Sequence, residues 1–405
     1  MRVSTAQFYF QNSQQITNKQ SNVNDQVNSL SSGKRVNTAK DDAVAYSTLA
    51  GYKDELANIE KYQRNITQAE SRNSLQDVAF SNAVDVLQNF KQTLLQANNG
   101  ILNDDDFQSL SAQLKNNQSQ LLDIANSQDE TGGYIFAGYQ TDVQAFALQP
   151  DNSVVYHGDG GVRELQIAKN VTVETNQPGD DAFENIPNAI GDFDSVYNTS
   201  TSEISIKLAK ITHPEDYDVT PGSGFPPPYN ITFSSATDLT ITDADGDPLF
   251  TSTSYISGQV INLTNGVDIQ ISGNPLPGDN IDLIPKENIS VFETIKNAID
   301  WINTSSSSTN EAQRQIDYND ILNQVDNALN HIVSRQSEAG VRLQLIDSQE
   351  SSHLDTELYL QQGQSNIEDL DFAKAVATFE QSKIALQAAQ QSFVQVKDLN
   401  LFNFI

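Results

Sequence analysis

Not one cysteine occurs among the 405 residues. Disulfides, zinc–thiolate sites and thiol nucleophiles are therefore excluded, and the redox compartment stays unread. Basic residues are scarce as well: 23 Lys and Arg face 53 Asp and Glu, a formal charge of −30. No nucleic acid is expected as a partner, because backbone binding needs a basic surface to release counterions. No membrane is expected either, an anionic surface being disfavoured for the same reason. No apolar run reaches span length, and the opening MRVSTAQFYFQNSQQ lacks the apolar core of a secretory signal. The expectation is a soluble chain without a cleavable signal peptide. Proline is missing from both ends: all twelve lie between Pro150 and Pro285, with twelve of the twenty glycines. Both flanks are thus open to long helices, and the chain reads as helix, β, helix.

The flanks carry apolar repeats. Tyr9, Ile16, Val23 and Leu30 stand seven apart near the start, and Phe372, Phe379, Leu386 and Phe393 do so near the end. Such a repeat lays one stripe along a helix and needs a partner stripe. Charge makes each end a suitable partner for the other. Residues 1–40 hold five basic residues and one acidic, residues 365–405 five acidic and three basic. Exposed pairs contribute only about 0–1 kcal/mol each. Helical spacing continues through Leu49, Tyr52, Leu56, Ile59 and Ile66, through Val84, Leu87, Lys91 and Leu94, and over Phe107–Ile124. Beyond the β region it predicts a short helix over Val291–Ile302 and a long one over Ile316–Leu360. Gly340 within the latter costs about 1 kcal/mol relative to Ala, so packing or a bend is expected there.

The insert alternates apolar and polar residues at period two, as in Ile204, Ile206, Leu208, in Val267, Ile269, Ile271 and in Ile281, Leu283. Asp245-Gly246 and Asn265-Gly266 separate such runs and supply the positive φ that hairpin turns want. From Pro150 to Pro285 there are twenty acidic and four basic residues, which implies a solvated, self-repelling outer surface.

Candidate chemistry is thin. Asp243, Asp245 and Asp247 alternate as in a calcium loop, but Pro248 and Ser254 stand where such a loop wants Gly and Glu, so a hairpin turn is expected. His157–Gly161, HGDGG, lacks dinucleotide-loop spacing. Ser31 and Lys34 fit Ser-x-x-Lys without companion motifs. The four histidines show no ligand spacing. No catalytic residue, cofactor or metal is expected, and no enzyme.

The stretch LSSGKRVNTAKDDAVAYS, Leu30 to Ser47, interrupts the helical N-terminal flank with a basic turn. Gly33 suits the left-handed position that closes a helix begun near Val3. Lys34 and Arg35 then fall beside the negative end of that helix's dipole. Asp41 or Asp42 suits the cap of the helix that follows. The reading is a hinge between helical layers.

These residues resemble the N-terminal hallmark of the flagellin family. EAGVRLQLID (Glu338–Asp347) and SNIEDLDFAKAVATF (Ser365–Phe379) resemble its C-terminal segments, and GGYIFAG (Gly132–Gly138) with VVYHGDGG (Val154–Gly161) its hairpin region. The ends MRVSTAQFYFQN and LNLFNFI look like those of the hook-associated branch of the family. The resemblance implies an α + β fold, with N- and C-terminal long helices forming a coiled-coil or helical-bundle rod and an inserted β-rich outer domain. Residues 1–44 and 365–405 would form a terminal coiled-coil inner domain. Residues 45–180 and 286–364 would form a helical rod domain, with a hairpin region at about 134–180, and residues 181–285 the outer domain. It further implies an extracellular structural subunit of the bacterial flagellum, exported through the flagellar type III apparatus with an export chaperone. Its partners would be identical subunits in a ring, the first hook-associated protein and flagellin. The two stripes would order on assembly, and Leu401, Phe402, Phe404 and Ile405 would dock the C-terminus. Two alternatives stay open: a filament flagellin, and a surface-binding module using the acidic insert, whose Tyr217, Phe225 and Tyr229 cluster in a Pro-rich loop.

Overall fold

The computed structural model describes residues 5–99, 102–199, 204–217, 226–305 and 311–401. Three helices come first: α1 (Thr5–Ser32), α2 (Ala43–Ala97) and α3 (Asp104–Ala125). Strands follow as β1 (Phe146–Leu148), β2 (Val154–Tyr156), β3 (Glu164–Ala168) and β4 (Val171–Glu174). After a π-helical turn at Asp180–Glu184 come β5 (Ile186–Pro187), β6 (Phe193–Thr199), β7 (Ser205–Ile211), β8 (Tyr229–Phe233) and β9 (Leu239–Thr242). The β region ends with β10 (Pro248–Ser252), β11 (Val260–Asn262), β12 (Val267–Ser272), β13 (Asn280–Pro285) and β14 (Asn288–Ile289). Helices α4 (Val291–Ser305), α5 (Glu311–Glu368) and α6 (Phe372–Leu401) complete the chain. Two compact units result, Met1–Asn65 with Ser348–Ile405, and Ile66–Asp347.

In the second unit, α2 buries Ile66, Ala69, Asn73, Gln76, Phe80, Ala83, Leu87, Phe90, Leu94 and Ala97, an unbroken alternation of three and four. The two amides in that stripe explain why sequence periodicity lapses there. Asn73 Nδ2 donates to the Glu174 carbonyl at 2.9 Å and Gln76 Nε2 to that of Thr175 at 3.2 Å, fastening the β3–β4 hairpin. Helix α5 answers with Ile321, Val325, Ala328, Ile332, Ala339 and Ile346. Arginines take two positions of that stripe, Arg335 pairing with Asp181 at 3.3 Å and Arg342 with Glu174 at 2.9 Å. Lys91 pairs with Asp326. Helix α3 starts in a capping box, Asp106 N donating to Asn103 Oδ1 and Asn103 N to Asp106 Oδ2, each at 3.0 Å. Phe80, Phe136, Phe146, Phe183 and Phe292 form one buried aromatic knot, with Phe136 and Phe183 edge-on at 5.1 Å.

The β insert has its own core. Its antiparallel strands run β10-β9-β8-β13-β6 in one sheet and β11-β12-β7 in another. Ile231, Ile241, Ile269, Ile271, Ile281 and Leu283 pack between them with no exposure. The expected hairpins are present. Asp243 Oδ1 accepts the amides of Asp245 and Asp247 at 3.0 and 2.8 Å, with Gly246 at φ +87°, so this loop is a turn. Gly266, at φ +79°, turns β11 into β12. Tyr229 is a core residue, and Tyr217 packs edge-on to Phe193 at 6.3 Å. Those aromatics therefore build no exposed binding platform; Phe225 lies outside the described residues.

Gly340 departs from expectation. A Cβ there would meet nothing within 4 Å, so packing does not account for it, and α5 continues through it as helix. Gly340→Ala is expected to raise stability by about 0.5–1 kcal/mol, chiefly through the unfolded chain. A higher melting temperature in calorimetry with unchanged circular dichroism is the expected result; a lower one refutes it.

Candidate assembly site

In the first unit the two terminal motifs meet. Gly33, at φ +71°, ends α1, its amide donating to the Ser29 carbonyl at 2.9 Å. Its own carbonyl accepts the Leu370 amide at 3.0 Å, and the Arg35 amide donates to the Glu368 carbonyl at 2.6 Å. The basic turn is thus stitched to the turn between α5 and α6. Its cations also reach that second turn. Arg35 Nη2 donates to the Ile367 carbonyl at 2.7 Å, and Lys34 Nζ contacts Glu368 Oε1 at 2.6 Å. They follow directly on the end of α1, and the carbonyls and acid at the end of α5 attract them as well. With Lys34 Nζ held by Glu368, the Ser-x-x-Lys pattern forms no catalytic pair.

The two aspartates divide their work. Asp42 caps α2, its Oδ1 accepting the amides of Val44 and Ala45 at 3.1 and 3.0 Å. Asp41 holds the turn itself, its Oδ2 accepting from Asn37 N, Thr38 N and Thr38 Oγ1 at 3.1, 2.9 and 3.1 Å. The Thr38 and Asn37 amides hold its carboxyl below the usual carboxylate range.

Three residues outside the expected set complete the site. Val36 is buried and anchors the turn. Lys53, on α2, reaches Glu368 Oε1 at 3.1 Å. Glu368, a buried carboxylate, is the hub, with Gln364 Nε2 donating to its Oε2 at 2.7 Å. Burial alone would raise this carboxyl, but the hydrogen bonds from Lys34, Gln364 and Lys53 outweigh it and hold the group down to about 2.

From this joint α1 and α6 run antiparallel. At the joint a Cβ on Gly33 would lie 3.6 Å from the Phe372 ring, and at the far end Tyr9 meets Phe393 edge-on at 5.9 Å. Stepping seven residues down one helix and up the other places Ile16 level with Leu386 and Val23 level with Phe379. Leu30 comes level with Phe372. All the stripe residues are half-buried except Phe372, which is exposed. No described side chain of α1 or α6 is fully buried. Phe10, Val376, Ile384 and Val394 are exposed as well, Ile384 at 62 %. Charge joins the ends at the turn: among the described residues, the ion pair between the two ends is that of Lys34 with Glu368, which Lys53 of α2 also pairs. The side chain of Leu401, and Phe402, Phe404 and Ile405 altogether, lie outside the described residues.

Helical ends joined at one turn, around an inserted β domain, match known families. The model of the bacterial flagellin N-terminal helical region matches residues 3–141, and that of the C-terminal helical region residues 322–405. The chain belongs to the flagellin family and is a structural component of the bacterial flagellum that assembles with other flagellar components. Within the family it is similar to flagellar hook-associated protein 3 of Salmonella typhimurium, 25 % identical over 99 % of both chains. It is also similar to the solved flagellar junction protein FlgL from Legionella pneumophila, with a TM-score of 0.65 and 27 % identity, covering 79 % of this chain and 100 % of that one. A flagellin of Serratia marcescens is 24 % identical, over only 42 % of this chain and 45 % of its own.

The Glu368 hub sets a pH dependence. Its folded pKa lies below its ordinary 4.5, so its stabilisation is complete above that value and lost as pH falls toward about 2. Glu368→Gln is expected to destabilise the first unit at pH 7 by about 1–3 kcal/mol, the half-exposed lysines limiting the effect. Hydrogen exchange at Val36 should quicken in the variant at pH 7, and the gap from wild type should narrow at pH 3. Equal exchange at pH 7 would refute the hub.

Proposed function

We propose that this chain is the subunit that joins the hook-associated region of the flagellum to the flagellin filament. Its partners are identical subunits in a ring, the first hook-associated protein on one side and flagellin on the other. It reaches them by type III export with the help of a chaperone. Residues 1–44 and 365–405 are the inner layer, residues 45–180 and 286–364 the next, and residues 181–285 the outer face.

The observation that carries the reading is the half-covered terminal pair. Tyr9 meets Phe393 at its far end, yet Phe372, Val376, Ile384 and Val394 remain exposed along α6. Apolar surface of that extent on facing helices is what neighbouring subunits cover. Ordering each residue costs about 1–2 kcal/mol, and a pair without a fully buried residue offsets that cost poorly. Neighbours therefore complete the folding of the ends, and free subunits are kept from polymerising early. The junction role is preferred to that of filament subunit because similarity to flagellar hook-associated protein 3 spans both chains, and that to the solved junction protein all of its chain, whereas that to flagellin spans neither.

Ile384→Asp is expected to shift monomer stability by less than about 0.5 kcal/mol, as exposed substitutions do, while abolishing assembly. In a deletion strain, hooks should persist and flagellin be shed as monomer, with wild type restoring filaments and the variant failing to. Filaments growing normally without the protein would sink the junction role. In the free subunit, amides of Val23 and Leu386 should exchange fast and become protected on assembly; strong protection beforehand refutes completion by neighbours.

A further inference from the structure

One cavity in the second unit is used by nothing described so far. It is an open cleft of about 360 Å³ where the loop at Asn188–Ile190 and strand β6 meet α4 and α5. Four carboxylates line it, Asp194, Asp300, Asp317 and Asp320, with the Tyr197 phenol and the Trp301 indole. Among the described residues no lysine or arginine does. Two of the acids are already matched from outside the lining: Lys286 lies 3.5 Å from Asp194 and Lys296 2.7 Å from Asp300. The other two form no ion pair among the described residues.

Asp317 has an amide for company, Gln313 Nε2 donating to its Oδ1 at 2.7 Å. Asp320 is worse served. Among the described residues its Oδ2 accepts a long bond from Tyr197 Oη at 3.4 Å, and its Oδ1 is shielded from solvent without a hydrogen-bond partner. A buried carboxylate oxygen without a donor is costly, and it is relieved by a proton or by a cation brought to it. The groups acting on it are Asp194 and Tyr197 of β6, Lys207 of β7 and Asp317 of α5. Burial, opposed by Lys207 and reinforced by Asp317 and Asp194, pushes Asp320 up to about 7; burial also raises Asp317.

We infer that this cavity is a binding site for an organic cation, an alkylammonium or guanidinium group, with Asp320 and Asp317 as its counter-charges and Trp301 and Tyr197 as its aromatic wall. A bare metal ion fits less well. The space far exceeds an ion, and no group of three or more ligating side chains able to hold a metal occurs among the described residues. A cation beside an aromatic face and a desolvated carboxylate satisfies both kinds of lining. Arg314 shows the preference in the same neighbourhood: its guanidinium lies 5.3 Å from the Trp301 ring centre. The cation is either a free small molecule or a lysine or arginine side chain of another subunit.

Agmatine, which carries both headgroups, is the probe for the full chain, followed by titration calorimetry. Binding is expected to weaken at least about tenfold in Asp320→Asn, and in Asp317→Asn to a smaller degree. It should also tighten about tenfold from pH 6 to pH 8 as the carboxyl that titrates near 7 ionises. Melting curves of both variants check folding, and Asp320→Asn is expected to melt no lower than wild type at pH 8. Saturating agmatine that blocks ring assembly identifies a neighbour's side chain as the source; assembly that proceeds with agmatine bound identifies a free cation. Equal binding by wild type and both folded variants, no binding at all, or equal binding of an uncharged alkylurea overturns the site.

Discussion

Everything in the first unit depends on a single joint, where the turn after α1 is hydrogen-bonded to the turn before α6 around the carboxylate of Glu368. Three chain segments are tied there at once, α1 through Gly33 and Lys34, α2 through Lys53, and the α5–α6 turn through Ile367, Glu368 and Leu370. A buried acid in such a place specifies geometry more than it adds stability, because its desolvation is offset only when every partner is in position. Fixing the joint also fixes the register of the helices leaving it. At 1.5 Å per residue, the 24 residues from Tyr9 to Gly33 span about 36 Å. Over that distance seven-residue stripes stay in step only if the helices start level.

Stability is distributed unevenly along the chain, and the distribution matches the proposed role. The second unit closes over buried phenylalanines and isoleucines, and of the polar groups in its helix stripes Asn73, Gln76 and Arg342 are bound to the β3–β4 hairpin and its edge, and Arg335 to Asp181 of the π-helical turn. Such a core folds without help. The terminal pair has the stripes of a coiled coil but lacks a third face to bury them. A subunit that must stay apart before assembly and hold firmly after it needs this contrast, a self-sufficient body and ends whose burial is finished by others.

Much of this was legible in the sequence, and what was not has physical reasons. Confinement of proline to one interval marked the helix–β–helix order, and the four-fold repeats of Tyr9 and Phe372 marked the stripes. Helix α2 appeared only as separate periodic stretches, because Asn73 and Gln76 are polar residues in a buried stripe and their hairpin partners lie about a hundred residues away. Asp41 and Asp42 are chemically equivalent caps on paper; the backbone decides that one closes the turn and the other opens the helix. Glu368 was hidden best. Among Asp369 and Asp371 it reads as one more solvated acid, and only its pairing with Lys34, 334 positions earlier, distinguishes it. Val36, a lone valine in a polar turn, carries no periodic signal at all.

The insert obeys a constraint of its own, since it must leave and rejoin the helical frame without pulling it apart. The short β5–β14 ladder meets that need, pairing Ile186 with Ile289 and Pro187 with Asn288. The Asn188 amide donates to the Glu287 carbonyl, and the Lys286 amide to that of Asp192. Entry and exit are thus clamped side by side, so the loop between them closes at a cost that grows only slowly with its length. With its own core between two sheets, the insert can change in size or surface while α2, α4 and α5 keep their packing. The acidic exterior follows from the same freedom: between Pro187 and Asn288 fourteen acids face three bases, an excess that would strain a helical bundle but that a domain hung on one clamp tolerates. What the clamp cannot shield is the seam beneath it, where β6 lies over α4 and α5. There Asp194, Asp300, Asp317 and Asp320 line one cavity beside Tyr197 and Trp301, and two of them have no ion pair among the described residues.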